Sequence, residues 1–389
     1  MLPALNPEPD IPLSIYLHLP WCIRKCPYCD FNSHEIGVNM INDEGYVNAL
    51  LRDLDFELPG IRGRRINSIF LGGGTPSLFS TDAVDKLLSG IRARLDIPAE
   101  AEITLEANPG TAEGSKFREF SKAGINRLSL GIQSFDDDKL KSLGRIHNSQ
   151  GSKDAITMAQ AGGFRGINLD LMFGLPGQTV RDALDDLETA ISFQPEHISW
   201  YQLTIEPNTV FYSDPPDLPD HDTLWEMQET GGRVLKNNGY QQYEVSAFSR
   251  ENCQCAHNIN YWQFGDYLGL GAGAHSKLTD HTAGRITRYA RHRLPARYME
   301  LAGRKNVITE SRLLTRTELP IEFMMNALRL IDGVPTGLMT ERTGISIDEI
   351  GDLLRQAEAK GLIARDMNQI KPTNRGTRYL NDLLQLFLP

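Results

Sequence analysis

Between residues 14 and 205 the chain alternates six times between short apolar runs and longer stretches with apolar residues at helical spacing, and few folds accept that order. The runs are Ser14 to Leu19, Ile66 to Leu71, Glu102 to Glu106, Arg127 to Ile132, Ile167 to Phe173 and His197 to Ile205. Helical patterns fill the intervals at Glu44 to Leu58, closed by Pro59-Gly60, and at Asp82 to Leu95, Lys116 to Ala123, Ser152 to Ala161 and Arg181 to Phe193. Strands joined through helices run parallel with right-handed crossovers. The expected fold is α/β, an open six-unit (β/α)6 partial TIM barrel. A closed barrel would need two more units, which the sequence lacks. Chemistry is expected at the C-terminal ends of the strands.

The loops at those ends carry the unusual residues. Behind the first strand, Cys22-Ile-Arg-Lys-Cys26-Pro-Tyr-Cys29 places three of the five cysteines in eight residues. A zinc knuckle or buried thiols would also use such a cluster, but zinc usually takes four ligands in paired knuckles. Three thiolates hold three irons of a [4Fe-4S] cluster and leave the fourth open. The second strand is followed by Gly72-Gly73-Gly74-Thr75-Pro76, which suits close backbone approach to a ligand or a tight turn, and which lacks the tail of a phosphate loop. Glu106 with Asn108-Pro109 follows the third strand, either accepting bonds from an ammonium or ribose or shaping a turn. Gln133 and Arg145 follow the fourth and, taken singly, read as surface residues. Asp170 interrupts an apolar run and so needs a partner or ligand. Gly174-Leu-Pro-Gly177 reads as a turn, with Thr179 as N-cap of the next helix.

Net charge narrows the partners. A formal charge of −10 argues against a generic nucleic-acid binder, and residues 311–389 balance ten Lys plus Arg against ten Asp plus Glu. Met1 to Asp10 lacks the basic and apolar regions of a signal peptide, and no apolar run approaches the roughly 18 to 20 residues of a spanning helix. Five cysteines without a secretory signal suit the reducing cytoplasm.

In their order along the chain, Tyr16-x-His18, the cysteine triad, the glycine loop, Glu106, Gln133, Arg145, Asp170 and Gly174-Leu-Pro-Gly-Gln178 resemble the radical S-adenosylmethionine (SAM) enzymes, and within them the oxygen-independent coproporphyrinogen III oxidase group. The resemblance implies that Cys22, Cys26 and Cys29 hold a [4Fe-4S] cluster and that SAM chelates the fourth iron. It places Tyr16, Tyr28, Gly72, Gly73, Gly74, Thr75, Glu106, Gln133, Arg145 and Asp170 around the cosubstrate. Two features point to a subgroup. Phe31 stands where the oxidases have a further cysteine, and His257-Asn258-Ile-Asn-Tyr261-Trp262 matches a motif of the HemW group, regarded as haem chaperones.

That likeness implies haem as a ligand, with His257 as candidate axial ligand and Tyr261 and Trp262 against the macrocycle, and no assigned catalytic residue. From the residues alone, a hydrogen-bonded His-Asn pair among core aromatics is the simpler reading. Cys253 and Cys255 leave a thiolate ligand or a Cys-x-Cys-x-His metal site open. The partners implied are haem, client haemoproteins such as respiratory cytochromes, and a flavodoxin- or ferredoxin-type electron donor. Location is cytoplasmic, with peripheral contact at the membrane face, as monomer or dimer. The competing activity is radical decarboxylation of coproporphyrinogen III, and a zinc-stabilised barrel is the third reading.

His281 to Met299 holds five arginines and no acid, read as a solvated linker-helix face that could also meet propionates. From about Leu313 the pattern becomes a small winged-helix-like unit, with helices at Ile321 to Leu330, Ile347 to Lys360 and Thr377 to Phe387. The expected division is 1–280, 281–312 and 313–389.

Overall fold

The computed structural model describes residues 11–36, 41–110, 114–280 and 283–388. Met1 to Asp10 and His281, used in the readings above, lie outside them.

All six expected strands form: β1 (Leu13–Leu19), β2 (Ile66–Gly73), β3 (Glu102–Ala107), β4 (Arg127–Gln133), β5 (Gly166–Phe173) and β6 (His197–Gln202). They pair in parallel in chain order. Between them run α1 (Asp43–Ile61), α2 (Thr81–Arg92), α3 (Gly114–Ala123), α4 (Ser149–Gln160) and α5 (Val180–Ser192). Every residue of β4 is buried, as a parallel strand covered on both faces requires. Asn42, Ser80 and Asn148 cap helix starts through their side chains, and Thr179 forms a capping box with Asp182. α1 does not stop at Pro59-Gly60 as expected. A proline this close to a helix end forfeits one backbone bond, and the fully buried Ile61 holds the last turn on the core.

The sheet grows past both expected edges. Beyond β6, α6 (His221–Asn237) leads to β7 (Gln241–Glu244) and β8 (Ala247–Ser249), and β8 pairs antiparallel with both β6 and β7. On the far side, α7 (Ala256–Trp262) precedes β9 (Asp266–Leu270), which pairs in parallel with β1. The antiparallel strands β10 (His275–Asp280) and β11 (Arg285–Arg291) follow, then α8 (Pro295–Leu301) and the edge strand β12 (Ile308–Leu313). The twelve-strand order is β12-β11-β10-β9-β1-β2-β3-β4-β5-β6-β8-β7.

The linker helix expected over His281 to Met299 is thereby corrected, since Arg285–Arg291 is sheet. Arg291 is fully buried, with Nε 2.5 Å from Asp53 Oδ2 and Nη2 2.8 Å from Glu57 Oε1, both on α1. Tyr298 donates to the same Asp53 oxygen at 2.8 Å. Residues read as a solvent face therefore tie β11 and α8 to the first helix.

The C-terminal part contains α9 (Leu319–Ala327), α10 (Leu338–Thr343) and α11 (Gly351–Ala359), with a three-stranded sheet of β13 (Val334–Pro335), β14 (Ile363–Arg365) and β15 (Gln369–Pro372). The single helix expected over Thr377 to Phe387 is two pieces, Asn374–Arg378 and Leu380–Gln385, parted at Tyr379 (φ −110°). That break lets Leu383 and Phe387 reach a core shared with Tyr243, Phe264 and Ile286 of the main sheet region. Among the described residues, no helix is long and apolar enough to cross a membrane.

Replacing Arg291 with alanine leaves Asp53 and Glu57 as uncompensated buried acids. A loss of about 3–5 kcal/mol in denaturant-monitored stability is expected.

Candidate functional site

The cysteine loop leaves the C-terminal end of β1 and closes on itself. Trp21 and Cys22 pair in parallel with His34 and Glu35. The His34 amide donates to the Pro20 carbonyl at 2.7 Å, that of Ile36 to Cys22 at 2.8 Å, and that of Cys29 to Cys26 at 3.1 Å. All three thiols line a cavity of 460 Å³. Each sulfur has a polar neighbour: Thr75 Oγ1 donates to Cys22 Sγ at 3.6 Å, Arg145 Nη1 donates to Cys26 Sγ at 3.8 Å, and Ser33 Oγ stands 3.9 Å from Cys29 Sγ. Burial pushes the Cys22 and Cys29 thiols up, so a bound cation must displace their protons. Among the described residues, no three His, Cys, Asp or Glu side chains converge on a single-ion site. Thiols set apart around one cavity suit a cluster, in which each takes a different iron, better than one zinc ion.

Gly73, Gly74, Thr75, Glu106, Gln133, Arg145, Asp170 and Tyr28 line the same cavity. Arg145 is fixed by Nη2 donating to Asn108 Oδ1 at 2.6 Å and to the Gly131 carbonyl at 2.7 Å. Asp170 has the partners its burial demands, Ser129 Oγ at 2.9 Å and Asn168 Nδ2 at 2.8 Å. Glu106 accepts from the Gly73 amide at 3.2 Å. Burial, and then the neighbouring Asp170, push its carboxyl up to about 8. Gln133 sits at φ 69°, an uncommon conformation for a residue with a side chain, and its Oε1 accepts from the Tyr201 hydroxyl at 2.8 Å. Burial pushes the Tyr28 hydroxyl up, against the opposing charge of Arg145.

Two expected cosubstrate residues fall elsewhere. Gly72 lies in β2 beside His18 of β1, and Tyr16 lines a different cavity. The glycine-loop amides are also less available than expected, because those of Gly74 and Thr75 donate to the Leu19 and Trp21 carbonyls at 2.9 and 2.7 Å. The glycines serve close approach. A Cβ on Gly73, where φ is 113°, would lie 2.5 Å from the His18 ring, and one on Gly74 would lie 2.5 Å from the Trp21 carbonyl oxygen.

The second cavity, of 1010 Å³, adjoins the first through a shared wall of Asp30, Phe31, Gly73, Glu106 and Asn258. Its aromatic lining includes Tyr16, Phe70, Tyr261, Trp262 and Tyr267. His257 lies in it, yet both its ring nitrogens are engaged: Nδ1 with Ser68 Oγ at 2.9 Å and Nε2 with the Tyr261 hydroxyl at 3.1 Å. Burial lowers its pKa to about 3. His257 thus sits on the helix α7 among core aromatics, with Ser68 and Tyr261 as its partners. Trp262 carries the Arg329 guanidinium 4.4 Å above its ring. The Cys255 thiol, pushed up to about 12 by burial, donates to Glu102 at 3.4 Å, and Cys253 and Cys255 gather no ion site with His257.

Sequence reasoning missed Ser129, Tyr201 and Phe70 as lining residues. Ser129 was recoverable, since it stands two positions before Gly131 on β4 and so shares its face.

A model described as the radical SAM superfamily matches residues 16–190, and one described as the HemN C-terminal domain matches residues 314–379. The fold and the cysteine-lined cavity therefore define a radical SAM protein, a class built around a [4Fe-4S] cluster and SAM. "Heme chaperone HemW" of Escherichia coli (strain K12) is 49% identical over 97% of this chain and 98% of that protein. "Heme chaperone HemW" of Bacillus subtilis (strain 168) is 33% identical over 96% and 99%. The chain belongs to the HemW family. The solved coproporphyrinogen III oxidase (HemN) of Escherichia coli superposes with a TM-score of 0.82 at 22% identity, covering 97% of this chain and 90% of that one, and shares the fold.

The Glu106 carboxyl has a testable consequence. Between 4.5 and about 8 the folded chain keeps a proton that the unfolded chain releases. Its contribution to stability is therefore complete below 4.5 and is lost as pH rises through about 8. Unfolding titrations across that window are expected to show the decline in the native chain and a flatter profile in Glu106→Gln, which carries no titrating proton there.

Proposed function

We propose that this chain is a haem chaperone that binds a [4Fe-4S] cluster, SAM and haem, and passes haem to client haemoproteins such as respiratory cytochromes. The observation that carries the reading is the pair of adjoining cavities, one ringed by thiols and polar groups and the other roomy and aromatic, separated by a wall of five residues. The name carried by its relatives, heme chaperone, supports the same reading. In this assignment Cys22, Cys26 and Cys29 hold the cluster. Bound and reduced, the cluster supplies one-electron reduction of a sulfonium. Gly73, Gly74, Thr75, Glu106, Gln133, Arg145, Asp170 and Tyr28 hold SAM, with Glu106 and Asp170 facing its cationic groups and Arg145 steadying Cys26.

Haem occupies the second cavity, whose volume is at the upper end of the roughly 300–1,000 Å³ usual for small-molecule and cofactor sites. The partial-barrel region, the 281–312 segment and residues 313–389 act as binding body, cavity wall and lid. A flavodoxin- or ferredoxin-type donor serves the cluster, and the chain works in the cytoplasm or against its membrane face.

Anaerobic reconstitution followed by haem titration tests the proposal. The native chain is expected to give a reducible iron–sulfur spectrum, SAM binding and stoichiometric haem uptake. Replacing the three cysteines should abolish the first while haem uptake persists in the separate cavity. Turnover of coproporphyrinogen III to protoporphyrinogen by the reduced protein would replace the chaperone reading with the oxidase one.

A further inference from the structure

Four histidines line the larger cavity: His18, His257, His275 and His292. Two of them have no nitrogen to offer iron. His18 is buried, with Nδ1 3.1 Å from the Tyr16 hydroxyl and Nε2 3.0 Å from the Asn32 carbonyl. His257 is held at both nitrogens by Ser68 and Tyr261. Opening either ring would leave buried polar groups unpaired.

His275 and His292 differ in every respect. His275 is exposed, His292 half-buried, and neither ring has a hydrogen-bond partner among the described residues. Strand register brings them together. His275 pairs with Ala290 across β10 and β11, and the Gly273 amide donates to the His292 carbonyl at 2.8 Å, extending the ladder by two residues. His292 thus follows two residues after the partner of His275, just past the end of β11, and both histidines line the same cavity.

The surroundings suit a flat, apolar, anionic ligand. Phe31, Leu294 and Met325 line the same cavity and are 60%, 64% and 45% exposed, an apolar rim with nothing packed on it among the described residues. The basic stretch supplies one uncommitted cation. Arg285 pairs with Asp280, Arg288 with Glu322, Arg291 with Asp53 and Glu57, and Arg297 with Glu300. Arg293, which lines the cavity beside Leu294, has no acidic partner among the described residues. Its guanidinium can meet a carboxylate.

Resting on the haem-binding reading above, we propose that haem iron is ligated from the β10–β11 wall by His275 or His292, not by His257, with Arg293 meeting a propionate. The two imidazoles approach a macrocycle from one side, so one iron takes one of them at a time. Such a ligand at an exposed rim also suits cargo that must leave. A client's own ligand reaches iron held there, whereas iron on the buried His257 would be shielded by Phe70 and Tyr261.

Haem titration of the reconstituted chain, followed by absorbance and by ferric-haem electron paramagnetic resonance, decides the matter. The double variant His275→Ala/His292→Ala is expected to lose the imidazole-ligated spectrum and bind haem at least roughly tenfold more weakly, with cluster content and SAM binding unchanged as the check on folding. His257→Gln is expected to keep the native spectrum. An unchanged spectrum in the double variant, or its loss in a folded His257→Gln, would overturn the assignment while leaving the haem-binding reading in place. Failure of the native chain to take up haem would overturn both. Should His257→Gln not fold, the double variant decides alone.

Discussion

Parallel hydrogen bonding along both edges of β1 is the constraint on which the molecule depends. One edge runs along β2 from Leu13 to Leu19, and the other along β9 from Leu13 to Leu17. With all but Tyr16 of its seven residues buried, the strand has no free face or edge, and its C-terminal end is the outlet. Tyr46 of α1 fixes that outlet. Its hydroxyl donates to the His18 carbonyl at 2.9 Å and accepts from the Ala272 amide at 2.8 Å. The cysteine loop after β1 and the turn after β9 consequently leave the sheet side by side, one toward each cavity.

The two cavities differ in the charge of their linings. On the thiol side, burial raises both the Glu106 and the Asp170 carboxyls, and Asp170 raises that of Glu106 further, so a ligand bringing positive charge relieves a penalty already present in the fold. On the other side, aromatic rings and an unpaired arginine favour the opposite kind of molecule, apolar with negative edges. Glu106 lines both.

What could be read from the sequence divides by the range of the forces involved. The six strands, their parallel order and the helix starts were legible because period-two and period-3.6 patterns and capping residues are local. The cysteine triad and most of its cavity were legible because they sit on successive strand ends. Three things were not. β9 joins β1 from the far side across some 250 residues of sequence, and no local pattern announces such a pairing. The hydrogen bonds that close both nitrogens of His257 come from Ser68 and Tyr261, the first 189 residues away. The arginines of residues 285–297 look alike in sequence and differ only in which acids the fold brings to them, so Arg291 is buried while Arg293 is free of acids among the described residues.

Phe31 shows how a one-residue difference acts through this architecture. The sequence resemblance sets a cysteine at this position in the oxidases, and the structure puts Phe31 on the boundary shared by both cavities, with 60% of its surface open. A thiol there would add a fourth sulfur near the cluster loop, and with it a hydrogen-bonding or redox-active group facing a substrate. A phenyl ring does neither. It extends the aromatic lining of the larger cavity, which Leu294 and Met325 also line. The same exchange removes a reactive group from the thiol-lined side and adds apolar surface on the aromatic side.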